Sequence, residues 1–418
     1  MASAAVLFLF TAGSVLGPAA AERRLEYVTV LFRHGDRSPI KTYPTNPNTE
    51  SSWPQGLGQL SQEGMRQHFQ LGQFLRTRYQ NFLNESYDRH EIHVRSTDYD
   101  RTLMSAASTL AGLYPPSGRQ VFMPGLKWQP VPIHTVSRRE EKLLLYPMKH
   151  CPLYSQLMNE TRSSEEYVNV TENYEDLFKL LRNKTRSDTS DLLMMSYLYD
   201  TLYCESLHNL PAPDWVTPAI IEDLKFIKDY VFQSLFGGYK RLEKSRLQGG
   251  VLLGEIVKNL SKMAVPSPKR RFKMMMLSSH DTAVAALQSS LDVYNGLTPP
   301  YAACQMIELH TDDDGSAWVS MFYRNDSSVP PYQLQLPGCS LDCPLEDFVR
   351  ITKPSISEDR DKECRLPSGV EDEDLTNPQL SPHHRLHPHQ PTPVTRLRRA
   401  PNQQQGMPTR KLEAGQKA

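Results

Sequence analysis

The chain has no net charge: 47 basic residues stand against 47 acidic ones in 418. That balance argues against a global field aimed at nucleic acid or a membrane surface, so any affinity for anions must be local. Long apolar runs are missing as well. Beyond the first residues no stretch reaches the roughly 18 uncharged apolar residues that a membrane helix needs, which predicts a chain without a transmembrane span. Cysteine is scarce, six residues in all: Cys151, Cys204, Cys304, Cys339, Cys343 and Cys364. An even number in an exported chain predicts three disulfides, and spacing alone does not choose the pairing. Cys339 and Cys343 form the one close pair, and the absence of a nearby histidine argues against zinc. The segment 367–418 has almost no large apolar residues and is rich in Pro, His, Gln and Arg, so it predicts a disordered tail. Its run "HHRLHPH" reads as solvated low-complexity sequence in preference to a metal site.

What is present begins with a leader. "MASAAVLFLFTAGSVLGPAAAERR" is apolar from Ala4 to Leu16, breaks at Gly17-Pro18 and offers a small-residue cleavage site at Ala19-Ala20-Ala21. Residues 1–21 are therefore expected to be a secretory signal peptide, although no Lys or Arg precedes the apolar run. Six Asn-x-Ser/Thr acceptors, at Asn84, Asn159, Asn169, Asn183, Asn259 and Asn325, fit a glycoprotein of the same compartment. Secretion is the expected destination, with the lysosomal lumen as the alternative.

Periodicity divides the remainder. Leu25 to Phe32 is a short β-branched, apolar run that predicts a core strand. From Ser61 to Phe82 a helical period places Leu71, Phe74, Leu75, Tyr79 and Phe82 on one face. "HEIHVRSTD" (90–98) alternates as a strand, and Thr102 to Leu113 reads as a helix stopped by Pro115-Pro116. "RFKMMMLSS" (271–279) followed by "TAVAALQSSLDV" repeats the strand-to-helix event, and 305–325 predicts a hairpin turning at Asp313-Asp314-Gly315. These elements predict an α/β core from 22–135 and 250–366, with an inserted, mostly helical lobe at 136–249.

Three charged clusters sit where these strands end: Arg33-His34-Arg37, Arg95 to Arg101, and His280-Asp281. In an open α/β sheet ligands bind beyond the carboxyl ends of the strands, so segments distant in sequence can converge on one crevice. Helices starting after Arg101 and Asp281 are expected to add N–H donors for an anion. Any one arginine taken alone is better read as a solvated surface charge, and His34 alone as a satisfied core histidine. Their joint placement at three strand exits favours a phosphate site. Arg95 lies inside the strand pattern and is assigned a structural role. Trp128 is as compatible with the core as with any function.

"RHGDRSP" (33–39), "RSTDYDRTLMSA" (95–106) and "SSHDTAVAAL" (278–287) resemble the histidine acid phosphatase family, in its two-lobed branch. "ESSWPQGLGQLSQEGM", "KWQPVPIHTV", "EKSRLQGGVLL" and "LDVYNGLTPPYA" extend the similarity over roughly residues 24–366. The resemblance implies a three-layer α/β core with a mostly parallel sheet, like that of the phosphoglycerate mutases. It makes His34 the nucleophile of a phosphohistidine and Asp281 the proton donor. Arg33, Arg37, Arg101 and His280 become the residues that hold the phosphoryl oxygens. Neighbouring guanidiniums disfavour imidazolium and fit phosphate oxygens bidentately, and an ordinary Asp titrates near about 3.9, which implies an acidic optimum. No cofactor is implied, since arginines supply the positive charge.

The resemblance further implies the pairs Cys151–Cys364, Cys204–Cys304 and Cys339–Cys343, and a homodimer through the region of Trp128 and His134. Small phosphate monoesters are the implied substrates: aryl, tyrosyl, nucleoside monophosphate and lysophosphatidate. Ser279 stands where the family usually has Ala, and the tail from about 367 resembles nothing in it. A mutase on the same motif is disfavoured by export. A non-catalytic glycoprotein is disfavoured by the presence of both His34 and Asp281.

Overall fold

The computed structural model describes residues 23–366; the expected signal peptide and the 367–418 tail, with its histidine run, lie outside the described residues. The chain runs β1 (Arg24–Arg33), α1 (Gln62–Arg78), β2 (Ile92–Ser96) and α2 (Asp100–Leu113). Helices alone follow: α3 (Pro152–Arg162), α4 (Glu165–Asn173), α5 (Glu175–Thr185), α6 (Leu192–Leu207), α7 (Pro218–Phe236) and α8 (Arg241–Leu247). The sheet resumes through α9 (Gly249–Ala264), β3 (Met274–Ser279), α10 (Asp281–Ser290), β4 (Cys304–Thr311) and β5 (Ala317–Arg324). β6 (Tyr332–Leu334), β7 (Asp342–Pro344), α11 (Leu345–Thr352) and α12 (Arg360–Glu363) close the described chain.

Strand alternation makes the three layers. On β1, Val28, Val30 and Phe32 pack against Leu71 and Leu75 of α1 and Leu110 and Leu113 of α2. Tyr27 and Leu31 face the other way, onto Leu253, Ile256 and Leu260 of α9 and Val284 and Leu287 of α10. A period of two therefore buries both faces of one strand, each beneath a helix pair. A third apolar cluster, with Leu181, Met195, Leu202, Leu224 and Ile227, holds α5, α6 and α7 together.

The sheet order is β2-β3-β1-β4-β5-β6, with β7 also paired to β5. Here the expectation of a mostly parallel sheet needs correction. β2, β3 and β1 are parallel neighbours, but β1–β4, β4–β5, β5–β6 and β5–β7 are all antiparallel. The sheet is mixed because the β4–β5 hairpin docks beside β1, and a hairpin fixes its two strands antiparallel. The first helix also ends at Arg78, before Phe82; the N–H groups of Phe82 and Leu83 both turn back to the Tyr79 carbonyl.

Candidate active site

β1, β2 and β3 are parallel and in register, with Arg33 opposite Ser279 and Ser96 opposite Ser278. Their carboxyl ends therefore emerge together. Arg33 donates its backbone N–H to the Ala303 carbonyl and His34 to the Ser279 carbonyl, both at 3.0 Å, while the His34 carbonyl accepts from Ala302 at 3.2 Å. Next in sequence, Gly35 lies against the first turn of α1. A Cβ there would fall 2.6 Å from the Cα of Gly64, so only glycine lets the two backbones meet.

All six residues expected in the site converge on this edge. Arg33, His34, Arg37, Arg101 and His280 are each no more than 6% exposed. His34 places Nδ1 2.8 Å from the Gly35 carbonyl, which only accepts; Nδ1 therefore carries the hydrogen and Nε2 keeps its lone pair. Its ring centroid is 5.7 Å from that of His280, whose Nε2 is 3.0 Å from the Thr97 hydroxyl. Burial pushes the His34 imidazole well below its usual range, and Arg101, Arg33, Arg37 and His280 push it further the same way. It is neutral.

The three arginines are held differently. Arg33 donates to the Pro299 carbonyl at 2.6 Å, pairs with Asp281 at 3.1 Å and lies over the Tyr301 ring. Arg37 is gripped by both carboxylate oxygens of Asp200, at 2.9 and 3.0 Å. Arg101, in the first turn of α2, donates to the Gly58 carbonyl at 3.4 Å and stacks over Tyr99. In all three the Nε is buried and has no hydrogen-bond partner. Arg95 stands apart, as expected, paired with Glu141 at 2.9 Å.

Asp281 departs from the ordinary carboxyl assumed in the sequence. Burial would raise it, but Arg33, Lys228, Arg37 and the Thr282 N–H outweigh that and hold it below the usual range. That N–H is taken by Asp281 itself at 2.8 Å, so the α10 N-terminus offers less to an anion than expected.

The cysteines need a second correction. Cys151–Cys364 and Cys339–Cys343 are bonded, but Cys204 and Cys304 are buried free thiols. Cys204 on α6 turns its sulfur toward Arg37 and the Tyr301 hydroxyl, whereas Cys304 at the start of β4 packs in the apolar cluster under β1. Trp128 is not core. It is 42% exposed and edges onto Phe122, which is 57% exposed.

Sequence reasoning missed Asp200, Thr97, Tyr301 and Lys228. A signal for Asp200 existed, as the lone acid within the apolar stretch "LLMMSYLYDTLYC". Among the described residues no group of three or more His, Cys, Asp or Glu is placed to hold a metal ion.

A neutral histidine under three guanidiniums, with an acid opposite, lies within residues 24–324, which match the histidine phosphatase superfamily (branch 2). The chain belongs to that family. It is 49% identical over 361 residues to lysosomal acid phosphatase of Homo sapiens, covering 86% of this chain and 85% of that one. With prostatic acid phosphatase of Bos taurus the identity is 49% over 356 residues, covering 85% and 91%. Among solved structures, the phytase from Citrobacter braakii superimposes with a TM-score of 0.62 at 19% identity, covering 82% of this chain and 100% of that one. Hafnia alvei phytase in complex with myo-inositol hexakis sulphate gives 0.61 at 19%, covering 84% and 100%. At that identity the likeness to the phytases is one of fold.

Proposed function

We propose that the protein is an acid phosphatase that hydrolyses phosphate monoesters through a phosphohistidine on His34. The observation that carries this is the tautomer of His34: Nδ1–H is fixed on the Gly35 carbonyl, leaving the Nε2 lone pair available beside three guanidiniums. Nε2 attacks phosphorus, the P–O bond to the leaving group breaks, and Asp281 gives that oxygen its proton. Water then attacks the phosphohistidine, its proton passes to the Asp281 carboxylate, and the P–N bond breaks. Arg33, Arg37, Arg101 and His280 stabilise the equatorial oxygens, and the unpartnered Nε–H groups suit that task.

Since Arg33 holds Asp281 ionised in the free protein, the proton it donates has to arrive with the substrate. A phosphate monoester loses its second proton near about pH 6, so in mild acid it enters as a monoanion carrying that proton. An acidic optimum follows from the substrate and not from free Asp281.

The helical insertion at 136–249, which brings Asp200 to Arg37, is where choice among aryl, tyrosyl, nucleoside and lysophosphatidate esters would be made. Export as a glycoprotein, secreted in preference to lysosomal, fits the leader and four acceptors on the surface, Asn84, Asn159, Asn169 and Asn183. No helix among the described residues is long and apolar enough to cross a membrane. A homodimer would cover the exposed Phe122, Met123, Leu126 and Trp128.

The test is alkaline-quench trapping with labelled substrate. Wild type should yield an acid-labile, base-stable phosphoenzyme, and His34→Ala, folded and exported, should yield none. Label retained by the variant defeats the assignment.

A further inference from the structure

Of the carboxylates at the site, Asp281 has a proton to move; Asp200 has none in the chemistry above. Yet Asp200 is as firmly built in. It is 6% exposed, on a helix of mostly apolar residues, and both its oxygens engage the two terminal nitrogens of Arg37. One of those nitrogens also donates to the Ser38 carbonyl at 3.1 Å. The guanidinium is thereby oriented by its far end, and its Nε stays buried with no partner. Burial would raise the Asp200 carboxyl, but Arg37 and, further off, Lys228 and Arg33 keep it below its usual range. Arg37 is correspondingly held charged: burial works against the guanidinium, and Asp200 outweighs it.

The other two arginines lack such an anchor. Arg33 shares its carboxylate with the reaction, and Arg101 has one long contact to a carbonyl. Burial and the neighbouring Arg37 push Arg101 down to about 10, which shows how crowded the positive charge is.

We propose that Asp200 is a positioning residue of the phosphate clamp, which aims Arg37 at the phosphoryl group and offsets one guanidinium charge so that product phosphate can leave. The inference rests on the proposed phosphoryl transfer at His34. It assigns a task to the helical insertion: α6 completes a clamp whose other parts come from the end of β1, the loop after it and the start of α2. An aimed donor stabilises the transition state, whereas an unbalanced cation would bind phosphate dianion in the ground state and slow turnover.

Asp200→Asn keeps the size and one acceptor but removes the charge; Asp200→Ala removes both. Each is compared with wild type for trapped phosphoenzyme per chain, kcat and KM per trapping-competent site, and inhibition by inorganic phosphate. Asp200→Ala should lower kcat per competent site about a hundredfold, the size of one lost transition-state donor. Asp200→Asn should be inhibited by inorganic phosphate at roughly tenfold lower concentration, since one more uncompensated charge faces the dianion. A purely structural residue would lower the number of competent sites and leave their kcat and phosphate inhibition at wild-type values. That result overturns the proposal, as does weaker phosphate inhibition in Asp200→Asn. If Asp200→Ala does not fold, phosphate inhibition of the near-isosteric Asp200→Asn still decides. Absence of a phosphoenzyme in wild type would instead defeat the phosphohistidine chemistry, whatever the Asp200 variants do.

Discussion

In the proposed chemistry Asp281 meets two opposed demands: Arg33 at 3.1 Å keeps it ionised, while the leaving group needs its proton. On that reading a bound phosphate would resolve the conflict by engaging Arg33, since an added anion weakens the field that holds the carboxylate down. Asp281→Asn separates the steps. Asparagine has no acidic proton, so an alkyl alcohol should leave on the order of a hundredfold more slowly, while nitrophenolate departs unaided. Initial rates across a leaving-group series, with the phosphoenzyme burst, measure this. An equal loss along the series would assign Asp281 to orienting the site and the proton to another source.

At the scale of elements, α1 supports β1 through a histidine that the chemistry does not use. His68 is fully buried, bonded to the Thr109 hydroxyl at 2.9 Å and to the Arg33 carbonyl at 3.1 Å. Burial takes it down to about 3. The unfolded chain, with an ordinary imidazole near about 6.5, binds this proton first, so stability falls as pH drops from there toward the folded value. His68→Gln should remove that dependence. Between pH 6.5 and pH 4 the wild type should lose on the order of 3 kcal/mol more than the variant in urea denaturation. Equal losses would mean that folded His68 takes up the proton. The strands and helices of the core were legible because their periods are clean: β1 alternates, α2 is stopped by prolines, and β4–β5 turns at Asp313-Asp314-Gly315. α6 was not. It is apolar nearly all round, so no face could be read from it, and the direction in which Asp200 points is decided by the packing of α5 and α7. The antiparallel docking of β4 beside β1 was equally hidden, because nothing in the β4 sequence announces that neighbour.

Across the whole molecule, Cys151–Cys364 joins the start of α3 to the end of α12, so the helical insertion and the last described turn are fastened together. Cys204 and Cys304 remain thiols, pushed up to about 12 by burial. A thiol reagent should therefore count none in the native protein and two per chain in denaturant without reductant; none in denaturant would mean that these two are bonded after all. The pairing of β1 has a different consequence. Val28 and Arg33 find their parallel partners at Met274 and Ser279, and the strand that leads into His34 is among the first made. Contacts of such sequence separation form late. While the ribosome is still short of Asp281, the growing chain holds a histidine without its acid and a central strand without its neighbour. Until Asp281 has been added, Arg33 lacks its carboxylate partner and the cluster at the three strand ends cannot be complete.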